Sequence, residues 1–291
     1  PAPGDDLGEL GLQPASFARL TSVRAEIGTR YQMPGISTGS ASYATKLASG
    51  VIAGRIDYMN AGEIEGIKAS NELTGVVHKP SEMMLNIAFA EPLGERLAWG
   101  VGVKAIEENL DIDGSQAWGL AMDLGATFQP GSRQFAYSLY MANLGTKLTG
   151  HTRTEQSFGP LPLTIGFGTR FLPTQPRGAA LLLDIQKPTD NDVLIRLGCE
   201  YKVSRWVDVR AGWRTDMPEI VDGFRTWILR RNLEETAELH DLRWSLGGTV
   251  RTGDIGLTYA FQWWTLLAPV HSVTLTWDIG PMGREPGEQS E

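Results

Sequence analysis

Two neighbouring stretches, Leu97 to Ala105 and Ala117 to Phe128, share a division of faces that few folds can use. In the first, Leu97, Trp99, Val101 and Val103 alternate with Ala98, Gly100, Gly102 and Lys104. In the second, Trp118, Leu120, Met122, Leu124, Ala126 and Phe128 alternate with Ala117, Gly119, Ala121, Asp123, Gly125 and Thr127. Successive side chains of a strand point to opposite sides, so each strand has one greasy face and one tiny or charged face. A strand with hydrocarbon outside and a polar lumen inside has that pattern.

The alternation recurs down the chain. Leu163, Ile165, Phe167 and Phe171 oppose Thr164, Gly166, Gly168 and Arg170. Val193, Ile195, Leu197, Cys199 and Tyr201 oppose Arg196, Gly198, Glu200 and Lys202. Val207, Val209, Ala211 and Trp213 oppose Asp208, Arg210, Gly212 and Arg214. The spacing predicts fourteen strands: 20–31, 39–47, 51–60, 80–91, 95–107, 116–128, 134–143, 161–172, 178–187, 192–203, 206–214, 241–251, 254–264 and 270–279. No long helical pattern separates them, so the expected topology is an antiparallel meander.

The connections carry a separate signal. Every other one is short (48–50, 92–94, 129–133, 173–177, 204–205, 252–253), while several of the rest are long (61–79, 144–160, 215–240). Outer-membrane barrels pair tight periplasmic turns with longer external loops. An even strand number places both chain ends on the periplasmic side. The alternative is a large soluble β-sandwich, whose strands also alternate. Strands of about ten residues fit a tilted membrane crossing better than a soluble sheet. Glycines also crowd the polar face, and Trp118, Trp206, Trp213, Trp244 and Trp263 sit near strand ends on the apolar face, as an interfacial girdle would.

Composition agrees. Hydrophobic residues make up 42% of the 291, yet no run nears the ~20 apolar residues of a membrane helix. A formal net charge of −8, with no basic cluster, argues against nucleic acid as a partner. The single Cys199 allows no internal disulfide and lies on an apolar face. No secretory signal opens the sequence, so if the protein is exported this is its mature form or a fragment of it.

Seven short motifs fall in order on these strands. They are Met122-Asp123-Leu124-Gly125, Asn143-Leu144-Gly145, Gly159-Pro160-Leu161-Pro162-Leu163, Leu197-Gly198-Cys199-Glu200-Tyr201, Val209-Arg210-Ala211-Gly212-Trp213-Arg214, Leu257-Thr258-Tyr259-Ala260-Phe261 and His271-Ser272. From about Leu20 to Gly280 the chain resembles the PorV/PorQ family of outer-membrane proteins, relatives of the FadL-type fatty-acid transporters. The resemblance implies a fourteen-stranded barrel and a role as an accessory of type IX secretion that binds cargo or a large translocon subunit. The family's usual Asn-Pro-Ala-Gly-Leu plug motif survives here only as Gln13-Pro14-Ala15-Ser16-Phe17-Ala18, and 215–240 looks like an insertion.

Little in the sequence speaks of catalysis. His78, His151, His240 and His271 are scattered without the spaced partners of a metal site, and no nucleophile elbow or phosphate loop occurs. His240 and Asp241 near Ser245 could suggest a hydrolase, but a loop-end histidine is the simpler reading. The charges expected to face the lumen are more informative: Lys104, Asp123, Arg170, Asp184, Arg196, Glu200, Asp208, Arg210, Arg214, Arg243, Arg251 and Asp278. Both signs occur together, which suggests a cross-linked interior rather than an ion-selective funnel. Within 215–240, Asp216, Pro218, Ile220, Phe224, Trp227, Ile228 and Leu233 have helical spacing with Arg225, Arg230 and Arg231 between them. A lid or a docking helix would read this way. Trp263, Trp264 and Leu266 form a second apolar tip.

The expectation is therefore an all-β transmembrane barrel of about fourteen strands. An N-terminal arm or reduced plug (1–19) precedes the barrel (20–280), and a periplasmic tail (281–291) follows it. Its function would be non-enzymatic and without cofactor or metal, as an accessory or anchoring subunit of an envelope or secretion complex among outer-membrane lipids. Candidate partner-binding residues are Phe224, Trp227, Ile228, Arg231, Trp263, Trp264 and Leu266. The alternative is a FadL-like transporter of hydrophobic small molecules.

Overall fold

In the computed structural model, residues 7–33, 35–67, 73–111, 116–131, 134–145, 162–174, 178–216, 243–263 and 268–281 are described. The first strands are β1 (Ser22–Met33), β2 (Ile36–Leu47), β3 (Gly50–Asn60), β4 (Ile64–Ile67), β5 (Leu73–His78) and β6 (Ser81–Leu93). There follow β7 (Leu97–Asn109), β8 (Gln116–Phe128), β9 (Phe135–Gly145), β10 (Thr164–Phe171) and β11 (Ala179–Pro188). The last are β12 (Leu194–Lys202), β13 (Val207–Asp216), β14 (Arg243–Thr252), β15 (Ile255–Trp263) and β16 (Val270–Pro281). All but β4 and β5 form one closed antiparallel barrel in which each strand pairs with its neighbours in the meander and β1 closes on β16. Every one of the fourteen predicted strands is present, with ends shifted by a few residues.

The 61–79 connection holds what the sequence pattern missed, a small hairpin of β4 on β5 outside the barrel sheet. His78 Nδ1 lies 2.7 Å from the Asp111 carbonyl, and Lys79 N donates to Asp111 Oδ2 at 2.8 Å, so the hairpin is tied to the loop after β7. The Glu63 carboxylate, 2.8 Å from Lys79 Nζ, closes its base.

Face assignment follows the alternation. Trp118, Val103, Ile87, Leu139, Leu197 and Leu246 are exposed on the outside, while Ala98, Ala117, Ala121 and Ala142 are buried inside. An isolated soluble chain rarely exposes such a continuous apolar surface, whereas lipid covers it at no cost. Aromatic residues sit at both rims. Trp244 stacks on Trp263 at the long-loop end, and Phe135 stacks on Phe171 at the short-turn end. On β8, Trp118 and Phe128 are ten residues apart, ~33 Å of strand and about 25 Å of height at a tilt of ~40°. That is the height of an outer-membrane apolar band. Cys199 faces outward, exposed among these lipid-side residues.

Candidate functional site

The barrel is not hollow throughout. Two 3₁₀ turns, Leu7–Glu9 and Pro14–Phe17, lie inside it and bury Leu7, Leu10 and Phe17 completely. These side chains join Ala44, Val51, Ala53, Ala88, Ala90 and Ala98, the small inward residues of β2, β3, β6 and β7, in one apolar cluster. Here is the reason for the tiny face. A Cβ on Gly100 would meet the Pro14 carbonyl carbon at 2.6 Å, and one on Gly125 would overlap the Gln13 side chain. Gln13 Nε2 donates to the carbonyls of Ala126 (3.1 Å) and Leu139 (3.4 Å), and Arg19 donates to Leu97 O (3.2 Å) beside the β6–β7 turn. The Gln13-Pro14-Ala15 stretch is thus a plug held at the short-turn end of the lumen.

A buried ionic node anchors it. Opposite Asp123 the register of β8 and β9 shifts, so Met122 pairs with Leu144 but Leu124 with Met141. Ala142 and Asn143 thus face the single Asp123, a bulge whose Asn143 takes a left-handed φ of 65°, a conformation that asparagine tolerates better than most side chains. The bulge turns the Asn143 amide toward Asp123 Oδ1, to which it donates at 2.9 Å. Lys104 Nζ lies 2.9 Å from the same oxygen and donates to Asn143 Oδ1 (2.7 Å) and to the Gly11 carbonyl of the plug (2.6 Å). An ammonium has three donors, and all three are used here. Asn86 Nδ2 reaches Asp123 Oδ2 at 3.4 Å, and Asn143 Nδ2 reaches Pro162 O at 3.0 Å. Lys104 is 3% exposed and Asp123 0%, so the pair is fully out of water. Residues of three sequence motifs, Asp123, Asn143 and Pro162, meet at this one point.

The other half of the wall is different. Arg170 Nη2 lies 3.2 Å from Glu200 Oε2, and Glu200 Oε1 lies 3.2 Å from Arg210 Nε. Arg210 continues to Asp208 at 3.4 Å, and Asp208 to Arg251 at 3.2 Å. This chain runs across β10, β12, β13 and β14 with its arginines roughly a third to a half exposed. Asp184 sits 3.5 Å from Arg196 and accepts from the buried Tyr140 hydroxyl at 3.2 Å. At the seam, Arg24 makes a two-point contact with Asp278 (2.8 and 3.2 Å), where Ser22 Oγ also donates. Arg24 was absent from the sequence-derived network; only the β1–β16 register reveals the pair.

The expected partner-binding residues fare unevenly. Trp263 lies on the outer wall stacked against Trp244, at the height of the aromatic rim. Phe224, Trp227, Ile228, Arg231, Trp264 and Leu266 lie outside the described residues, as do His151 and His240. Tyr259 OH lies 2.8 Å from His271 Nδ1 on the outer face. Among the described residues no cluster of His, Cys, Asp and Glu could hold a metal ion. Arg243 begins β14, in direct register with Arg214.

No protein-family profile matches the chain, and no curated protein matches it in sequence. Solved structures do match its fold. The Pseudomonas putida toluene transporter TodX superposes with a TM-score of 0.60 at 12% identity, over 91% of this chain and 90% of that one. The CymD monoaromatic hydrocarbon channel gives 0.60 at 12% identity over 94% and 93%. A Pseudomonas aeruginosa FadL homologue gives 0.54 at 11% identity over 94% of each. The chain has the fold of FadL-family outer-membrane barrels.

Proposed function

We propose that this protein is an outer-membrane channel for hydrophobic small molecules, acting by passage and not by catalysis. The observation that supports the reading most is the lumenal plug, an apolar N-terminal segment seated on a glycine and alanine wall. It occurs within a fold shared along nearly its whole length with a toluene transporter and a monoaromatic hydrocarbon channel. A segment that fills a lumen without being part of its wall can be displaced without breaking the barrel. The test is uptake of labelled toluene by a Gram-negative host stripped of its own hydrocarbon channels. Expression of this chain should speed accumulation over the empty vector, and unchanged uptake would sink the reading.

A second reading is the PorV/PorQ-like accessory or anchoring subunit. The β4–β5 hairpin supports it, since Ile64, Leu73, Val76 and Val77 are exposed at the long-loop end, beyond the barrel sheet. Extraction from native membranes in mild detergent, followed by mass spectrometry, separates the two. A stoichiometric large partner favours the accessory, and a lone barrel carrying hydrophobic molecules favours the channel.

A further inference from the structure

Where β16, β1, β2 and β3 run side by side, the inward residues fall into level rows. Arg30 on β1 lies directly opposite Ser272 on β16 and Thr38 on β2. One step nearer the plug, Gly28 lies opposite Thr274 and Ser40, and Ser40 opposite Asp57 on β3. The next row sets Glu26 against Ser42, and Ser42 against Arg55. Below it come Ala44 and Ala53, which belong to the apolar cluster around the plug. The upper rows enclose a cavity of about 240 Å³ that borders Gly8 of the plug.

Gly28 makes the space. A Cβ there would come within 2.9 Å of Ser40 Oγ and 3.1 Å of Thr274 Oγ1, so any side chain would stand between the two hydroxyls. Among the described residues, the side chains of Thr38, Ser40, Ser272, Thr274 and Arg30 make no hydrogen bond, although all five line this one cavity. On the neighbouring β14 and β15, by contrast, the hydroxyls of Thr249 and Thr258 meet at 2.9 Å. At the floor row Ser42 Oγ is unpartnered too, in a residue only 7% exposed. Buried polar groups ordinarily have partners, so these point to a guest.

The lining says what kind of guest. A hydroxyl both donates and accepts, so four of them suit a molecule that does the same. Arg30 and Arg55 are balanced by Glu26 and Asp57, and Arg55 already holds Asp57 at two points (2.6 and 2.7 Å), so no net charge is selected. No apolar side chain lines the cavity, and a hydrocarbon would find nothing there to replace water. The volume lies below the ~300–1,000 Å³ of pockets for drug-sized ligands, so the guest is small.

We propose that this cavity binds a small neutral polyhydroxylated solute, between glycerol and a hexose in size, on the long-loop side of the plug. The site is independent of the hydrophobic-channel reading, since it uses the polar wall and not the apolar cluster.

Saturation-transfer NMR on the purified, folded barrel tests it, in a detergent without a sugar headgroup and with millimolar glucose, glycerol or acetate in turn. Glucose and glycerol should take up saturation above the level of empty micelles, and acetate several-fold less. Ser40→Ala with Thr274→Val should cut the glucose signal several-fold, and so should Arg30→Gln, while Thr249→Val keeps it. Folding is checked by heat-modifiable gel mobility. Should the double variant not fold, Arg30→Gln still decides, because that exposed side chain holds no described partner. No transfer to either polyol, equal transfer to acetate, an undiminished signal in either folded cavity variant, or an equal loss in Thr249→Val would overturn the proposal.

Discussion

The two sides of the lumen solve the same problem with opposite materials. Along β2, β3, β6, β7 and β8 the wall is glycine and alanine, an apolar segment is packed onto it, and one ion pair is buried completely. Along β10 to β14 the wall is lined by a chain of arginines and carboxylates, many of them in partial contact with solvent. Charge therefore does two jobs in one barrel. In the dry half a fully buried pair with every ammonium hydrogen bond made fixes a position; in the wet half many partial pairs fill space and set a field. Buried pairs are costly to break and cheap to replace whole, while exposed pairs are cheap to break singly.

The largest expected effect tests the dry half. Lys104→Met leaves Asp123 buried without its cation and should cost about 3–5 kcal/mol, read as a lower urea midpoint for barrel unfolding. The double variant Lys104→Met with Asp123→Leu should recover much of that loss, because an apolar pair of similar volume often replaces a buried ion pair at little cost. If the double variant is as unstable as the single one, the pair is not the unit of stability claimed here. Next in size is Gly100→Val, whose side chain collides with the Pro14 backbone. It should cost about 1–3 kcal/mol and strip hydrogen-exchange protection from residues 10–18 while β10 to β14 keep theirs. Arg210→Gln, in the wet half, should shift the same urea midpoint by less than about 1 kcal/mol, since Arg210 is itself part-exposed and Arg170 and Arg251 still serve Glu200 and Asp208. An Arg210 effect as large as that of Lys104 would erase the contrast between the halves.

The smallest effect lies outside the barrel. The Glu63 carboxyl is held below the usual carboxylate range by its hydrogen bond to the Lys79 ammonium, which also raises Lys79. A lowered folded-state pKa means the contact persists as the solution is acidified and is lost only when pH falls below the ordinary range of a glutamate. Hydrogen exchange in β4 and β5 should thus stay constant through mildly acid pH and rise below it, with the barrel melting unchanged.

How much of this was legible in the sequence differs between wall and contents. The strands were readable because a membrane wall needs strict alternation over long runs, and Leu97 to Ala105 shows it without interruption. The β4–β5 hairpin was not, because strands of four and six residues outside the bilayer obey no such demand. Lys104 and Asp123 could be assigned to the lumen, but not to each other. Lys104 sits opposite Ala121, and Asp123 opposite Gly102, so the contact is a diagonal that only the register and the Asn143 bulge create. The alignment of Arg214 with Arg243 has the same origin: the two are far apart in sequence, and nothing local says that they share a level.

The β1–β16 seam has a consequence in time. Ser22 pairs with Pro281, so the wall cannot close until nearly the last of its residues has arrived. The plug is attached directly to β1, one of the two strands that must meet. Contacts between such distant parts of a chain form late, because the long loop must be closed before any bond repays it. Sealing the cylinder and loading its interior are therefore coupled at a single strand. An assembly factor that holds β1 until β16 is ready would control, by that one grip, whether the finished barrel encloses its plug.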